Sequence, residues 1–284
     1  MNFFEFEDRL IPLGDWIQFL VDFLVENYRG FFQTLKLPVE KTLETLEWGF
    51  TSAHPLIIMA IFAFLAWKLA GKRVTIFTLA TLFFIGMLGL WEDAMITMAM
   101  VMSSVIFCGL VGVPLGIMSG RSDRAEVAIR PFLDAMQTTP AFVYIVPVVM
   151  LFSIGTVSGV LATIVFAMPP IIRLTSLGIR HVDKELIEAA QAFGATPKQT
   201  LFKVQIPLAM PSIMAGLNQT IMMSLSMVVI AALIGAGGLG SPVFQGLNTL
   251  DIGLASVGGI SIVLMAMMLD RITQGLSKKR KRKK

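Results

Sequence analysis

Cysteine, histidine and charge are all scarce in this chain. One cysteine, Cys108, occurs in 284 residues, so no internal disulfide can form and a disulfide-stapled secreted scaffold is excluded. Cys108 lies in an apolar run and is expected to pack in the interior. The two histidines, His54 and His181, are far apart and form no cluster with metal-ligand spacing. No metal and no cofactor is expected. Charged residues make up 15% of the chain, against about 25% in soluble domains. Hydrophobic residues reach 55% and the mean hydropathy is +0.77. Disordered and fibrous classes are excluded, and a multi-span membrane protein is implied. At about 20 residues per membrane helix, the length allows up to about ten spans.

Catalytic signatures are missing too. No Gly-x4-Gly-Lys-Ser/Thr phosphate loop occurs; Gly71-Lys72-Arg73 lacks both the preceding glycine spacing and the hydroxyl. The chain is therefore not expected to hydrolyse ATP itself. Gly235-Ala-Gly237-Gly-Leu-Gly240 formally matches the dinucleotide fingerprint. It follows a long apolar run without a βαβ unit, so it is read as a tight turn with close helix contacts. No nucleophile–histidine–acid set or carboxylate pair stands out. The N-terminus lacks a basic start before a short apolar core, so no cleaved signal peptide is expected.

The net charge of +4 hides a strong asymmetry. Residues 1–54 hold nine acids (Glu5, Glu7, Asp8, Asp15, Asp22, Glu26, Glu40, Glu44 and Glu47) and four bases. The last seven residues, Lys278 to Lys284, are all basic. Beside membrane spans, such a tail marks a cytoplasmic end near anionic lipid rather than a nucleic-acid site. Trp16, Phe19, Leu20, Phe23 and Leu24 recur at helical spacing opposite Asp15, Gln18, Asp22, Glu26 and Arg29. This predicts an amphipathic helix over 15–29. It can lie in the membrane interface or pack on a neighbouring subunit.

Seven apolar stretches follow: Pro55–Ala70, Val74–Leu90, Met95–Met118, Phe142–Ile154, Val157–Ile172, Pro207–Ala236 and Ile252–Leu269. Stretch 142–154 is short and interrupted by proline, and 207–236 is long enough to tilt or to include a re-entrant part. The connecting segments alternate. Lys72 and Arg73, then Arg121, Arg124 and Arg130, then Arg173 to Lys203, then the basic tail, are separated by segments without Lys or Arg. Seven spans with the N-terminus outside place every basic segment in the cytoplasm. Glu92, Asp93 and Asp251 then become outer-loop acids, either solvated or facing an extracellular binding protein. Pro114, Pro140, Pro147, Pro169 and Pro170 sit where helices bend or pack closely.

Residues 174–206 form the one long polar interruption after the first span. Asp183 can cap a helix over Lys184–Phe193, Gly194 can end it, and Thr196-Pro197 can start a second helix to about Val204. Ala189 and Ala190 present a small, flat surface that another protein's backbone can approach.

Glu188-Ala189-Ala190, three residues, Gly194, nine residues and Val204-Gln205-Ile206-Pro207 closely resemble the EAA signature of ABC-importer permeases. The departures are Val204 for Ile and Ile206 for Leu. Gln137–Tyr144, Phe166–Arg173 and Ser226–Gly240 are similar to the permeases of glycine betaine/proline-type osmolyte importers, over roughly residues 50–275. The resemblance implies a type I ABC importer permease fold. It also implies an ATPase-coupling loop carried by Glu188, Ala189, Ala190, Gly194, Val204, Ile206 and Pro207. The partners implied are an ATP-binding subunit, a second copy of this chain and an extracytoplasmic substrate-binding protein, with anionic lipid at the tail and no nucleic acid. The cargo implied is glycine betaine, proline betaine, carnitine or choline. Another small solute is the alternative, and an ion-coupled secondary transporter is a more distant one.

Phe142 and Tyr144, beside the break at Pro140, and Ser226 and Met227, in mid-span, are candidates for the translocation path. A quaternary ammonium is attracted to aromatic faces, but periodicity alone leaves packing open for all four. The expected organisation is an extracytoplasmic region 1–54, two helices over 55–92, a permease core over 93–275 with its coupling loop at 174–206, and a cytoplasmic tail at 276–284.

Overall fold

A computed structural model describes residues 12–281. Glu5, Glu7, Asp8 and Arg9 and the end of the basic tail lie outside the described residues, as do the side chains of 276–281. Among the described residues all regular structure is helical: α1 Leu13–Ser52, α2 Pro55–Ala70, α3 Lys72–Met87, α4 Trp91–Arg121, α5 Asp123–Thr138 and α6 Ala141–Phe152 come first. The rest are α7 Thr156–Arg180, α8 Lys184–Ala192, α9 Pro197–Thr200, a π-turn over Leu201–Gln205, α10 Ile206–Ala232, α11 Gly240–Thr249 and α12 Ile252–Lys281.

Each of the seven apolar stretches coincides with a helix. The α4, α7, α9–α10 and α12 helices are each long and apolar enough to cross a membrane. The bent pairs α1–α2 (111°) and α5–α6 (101°) bring the number to as many as six by length and composition. The α2 and α3 helices have 16 residues each and α6 has 12, short of the ~20 that span a hydrocarbon core unaided.

The amphipathic helix predicted over 15–29 is only the start of α1, which continues for 40 residues through Pro38. Its outer turns leave Trp16, Phe19 and Leu20 exposed, whereas Val39 and Leu43 are buried. Those two pack with Ala99, Met100, Val160 and Ile164 of α4 and α7. Phe32 meets Phe152 edge-on at 5.8 Å between centroids, and Gln33 donates to the Leu151 carbonyl at 3.3 Å. The second half of α1 is thus part of the bundle. Val39, Leu43, Leu46 and Phe50 continue there at helical spacing, but spacing alone does not say that α4 and α7 cover them. His54 caps α2, its Nδ1 accepting from the Leu56 amide at 3.3 Å.

The centre of the bundle is α4, α7 and α10. Without a hydrophobic force between helices in lipid, close approach must come from small residues. Gly112, Gly116 and Gly120 form such a row on α4. A Cβ on each would lie 2.5, 2.5 and 2.8 Å from side-chain atoms of Ile171, Thr175 and Ile179 on α7. On the other flank of α7, Gly178 abuts Ser212 and Gly216 abuts Ile171. Cys108 is buried in this centre. Pro169 and Pro170 lie within α7 without ending it, and Pro114 and Pro147 lie within α4 and α6.

Contacts sort the junctions into two ends. At one end Ala70 touches Gly275, Gly120 touches Ile179, and Arg180 pairs with Asp123 at 2.6 Å. At the other, the Gly155 amide donates to the Ile234 carbonyl at 3.1 Å, and the Leu239 amide donates to Thr97 Oγ1 at 2.8 Å. The α4, α7, α10 and α12 helices run between these ends. Among the described residues, the basic segments 72–73, 121–130 and 173–203 lie at the first end.

Candidate functional site

The loop after α7 is built from local capping. Asp183 Oδ1 accepts from the Glu185 amide at 3.0 Å and starts α8. The Ala195 amide donates to the Ala190 carbonyl at 3.0 Å across the turn that ends it. Gly194 takes φ +79° there, with open space where a Cβ would stand. Its glycine is required by the backbone angle and not by crowding within the chain. Thr196 and Gln199 then form a reciprocal capping box, at 2.8 and 3.3 Å, around Pro197.

The second helix does not stop near Val204, as the sequence predicts. The α9 turn passes through the π-turn directly into α10. The Ile206 amide donates to the Leu201 carbonyl, five residues back. Pro207 has no amide hydrogen and cannot take an α-helical bond, so the ladder widens by one residue just before it and the helix carries on. Val204, Ile206 and Pro207 are therefore the root of α10 and are half-buried. Ile206 packs against the cluster of Ile179, Leu201, Ala209 and Ile213. The loop is seated on the core here, where Thr200 and Leu201 are also buried.

The α8 helix has no buried residue. Glu188 and Ala189 are exposed and Ala190 is half-buried. Phe193, at the C-cap, is 93% exposed. Periodicity could not single it out, since an aromatic before a terminating glycine reads equally well as a packing residue. Here its ring projects almost wholly clear of the described residues. An open helix with a small-residue face, a projecting aromatic ring and a continuous rod into the bundle can receive a push from outside and deliver it along α10.

Beside this loop, α5 is clamped to α7. Arg173 pairs with Asp134 at 2.5 Å, and Arg180 pairs with Asp123 at 2.6 Å and Glu126 at 2.5 Å. A cavity of about 310 Å³ lies between them, lined by Ser119, Glu126, Arg130, Asp134, Arg173 and Arg180.

The path candidates separate. Phe142 is exposed on α6. Tyr144 is half-buried, and its hydroxyl donates to the Met136 carbonyl at 2.5 Å, bracing the α5–α6 bend. Ser226 is exposed on α10 and donates to the Met222 carbonyl at 3.1 Å. Met227 points the other way and is fully buried with Val148, Phe152 and Ala162. The open face of α10 runs through Pro211, Ala215, Gln219, Met222 and Ser226. Of these only Ser226 is among the sequence candidates. The missed residues share its helical face at i, i+3 and i+4 spacing, a signal that needed one fixed reference residue to be read.

The glycine fingerprint is a turn. Gly235, Gly237 and Gly238 all have positive φ. A Cβ on Gly238 would lie 2.5 Å from Thr97 Oγ1.

A multi-pass helical bundle with an open helix–glycine–helix loop rooted in a central membrane helix is the architecture of a solute permease. The family model described as "Binding-protein-dependent transport system inner membrane component" matches residues 112–282, and the chain belongs to that family. It is 51% identical over 273 residues to the glycine betaine/proline betaine transport system permease protein ProW of Escherichia coli (strain K12), covering 96% of this chain and 77% of that one. It is 45% identical over 276 residues to the glycine betaine transport system permease protein OpuAB of Bacillus subtilis (strain 168), covering 96% and 98%. Among solved structures, an inward-facing MetNI methionine ABC transporter chain aligns with a TM-score of 0.60 at 22% identity, covering 65% of this chain and 92% of that one. That likeness speaks for the fold.

Proposed function

We propose that this chain is the permease of an ATP-driven importer of glycine betaine or a closely related compatible solute in a bacterial cytoplasmic membrane. The observation that carries the reading is the open α8–Gly194 turn continuous with α10, on residues that match the coupling signature from Glu188 to Pro207. A separate ATP-binding subunit docks on this loop, with Glu188, Ala189, Ala190 and Gly194 at the contact and Val204, Ile206 and Pro207 at the root. Two copies of the chain flank the pathway, and Ser226, with Phe142, lies toward it. An outer binding protein delivers the cargo. Closure of the ATPases draws the two loops together and turns the helices outward. The segment 1–54 and the α11 end face outward, and the basic end faces the cytoplasm, which agrees with the positive-inside rule. The basic tail adds attraction to anionic lipid.

The glycine betaine assignment rests on the activities for which the relatives are named, which include a glycine betaine/carnitine permease of Listeria monocytogenes at 45% identity over 275 residues. The test is co-purification and uptake. A tagged chain should retain a subunit that carries a phosphate loop, and energised vesicles should take up labelled glycine betaine only with ATP. Uptake without ATP would overturn the reading.

A further inference from the structure

The half of α10 that follows the coupling loop carries a polar circuit to α12. Asn218 lies about three turns beyond Ile206. Its Nδ2 donates to Asp270 Oδ1 at 2.6 Å. Thr273 Oγ1 lies 2.6 Å from Asn218 Oδ1, so the two ends of the Asn218 amide are both engaged on α12. Gln274 Nε2 reaches the Asp270 carboxylate at 2.9 and 2.8 Å. All four residues are half-buried. A carboxylate half-buried between helices is costly unless it is satisfied, and here amide hydrogens from both helices satisfy it.

The remaining α10–α12 packing is apolar, with Ile221 and Leu225 in one cluster with Met265, Met268 and Leu269. Apolar ridges and grooves can repack in more than one register, because dispersion contacts do not prescribe partners. Charge-assisted hydrogen bonds have fixed partners and directions. The circuit therefore sets the register between the two helices. The α12 helix is in turn fixed to α2, since a Cβ on Gly275 would lie 2.6 Å from the Ala70 Cβ, and Phe62, Ala66, Leu82 and Ile85 share its cluster.

We propose that Asp270 is a positioning residue. By holding Asn218, it makes the α2–α3–α12 block move as one body with α10, so that displacement at the coupling loop opens the pathway and is not lost as slippage between helices. This rests on the coupling role of the α8–Gly194 loop.

The experiment uses the permease co-expressed with its ATP-binding subunit and reconstituted in liposomes, with ATP hydrolysis and glycine betaine uptake measured on the same vesicles. N218D sets carboxylate against carboxylate without changing size. It should keep the bound ATPase subunit and its hydrolysis but deliver at least about tenfold less solute per ATP, a like-charge contact being strongly unfavourable. D270N keeps the shape and an oxygen that can accept from Asn218 Nδ2, but it removes the charge from that bond and sets its NH₂ against Gln274 Nε2, and about a threefold loss is expected. N218D/D270N exchanges the roles, because the carboxylate now on α10 accepts from the amide now on α12 and from the Thr273 hydroxyl. It should return to within about threefold of the unmodified ratio, as a direct pairwise coupling requires. A double variant no better than N218D, or an N218D with the normal ratio, would overturn the proposal. If N218D does not accumulate, D270N and its rescue by the double variant decide by the same ratio. A structural defect alone would lower the amount of complex and leave the ratio unchanged. Loss of the ATPase subunit from every form, the unmodified one included, would instead count against the coupling loop on which the proposal rests.

Discussion

A methyl group on Gly116 would stand 2.5 Å from Thr175 Cβ and 2.7 Å from the Ile172 carbonyl oxygen. The latter is backbone and cannot rotate away, so α4 and α7 must separate to admit any side chain there. Gly116→Leu should cost at least about 1–3 kcal/mol, the usual range for overpacking. Gly109, on the same helix, has open space at its Cβ position, and Gly109→Ala should stabilise by up to about 1 kcal/mol through helix propensity. Thermal unfolding midpoints in detergent measure both. Equal midpoints for the two variants would sink the close-packing account.

At Gly194 the demand is a backbone angle, φ +79°, in otherwise open space. The left-handed region costs an ordinary residue about 1–2 kcal/mol, and asparagine tolerates it better. Gly194→Ala should therefore reduce uptake more than Gly194→Asn while both chains accumulate in the membrane. If Asn impairs uptake as much as Ala or more, close approach by the partner subunit, and not the angle, is what the glycine serves. Capture of the ATP-binding subunit by each tagged variant separates these two outcomes.

The fold was largely legible because membrane helices announce themselves by length, apolarity and the alternation of Lys and Arg. The loop was legible because Asp183, Gly194, Thr196 and Pro197 are local signals whose physics acts within a few residues. What stayed hidden depends on distant partners. The second half of α1 is buried only because α4 and α7 offer it Ala99 and Val160. The continuation of α9 into α10 hangs on how the ladder adapts to Pro207. The α11 helix falls in a base-free stretch that reads as loop, and Met227 and Ser226 are adjacent in sequence yet on opposite faces. Asp270 reads as the charged end of a span until Asn218 is brought beside it.

The outer turn provides a test of a single tertiary hydrogen bond. Leu239 N–H has Thr97 Oγ1 as its acceptor at 2.8 Å, and both residues are buried. Thr97→Val keeps the shape and removes the acceptor, leaving a buried donor unsatisfied at about 1–3 kcal/mol. Thr97→Ser should retain most of the stability. A Val variant as stable as the parent would mean that the amide finds another acceptor.

Neighbouring α10 residues should respond in opposite ways. Met227 has no exposed surface and shares its cluster with Val148, Phe152 and Ala162. Met227→Ala should cost about 2–5 kcal/mol, as cavity-forming core substitutions do. Met222 is 41% exposed, one turn from Ser226 on the open face. Met222→Ala and Ser226→Ala remove little packing within the chain and should leave the unfolding midpoint of the dissociated permease nearly unchanged. If that face lies toward the pathway, both should alter the KM for glycine betaine uptake, and Met227→Ala should act mainly through the amount of folded transporter. A Met227→Ala variant that unfolds normally but changes KM would reverse the assignment and place the pathway on the other side of α10.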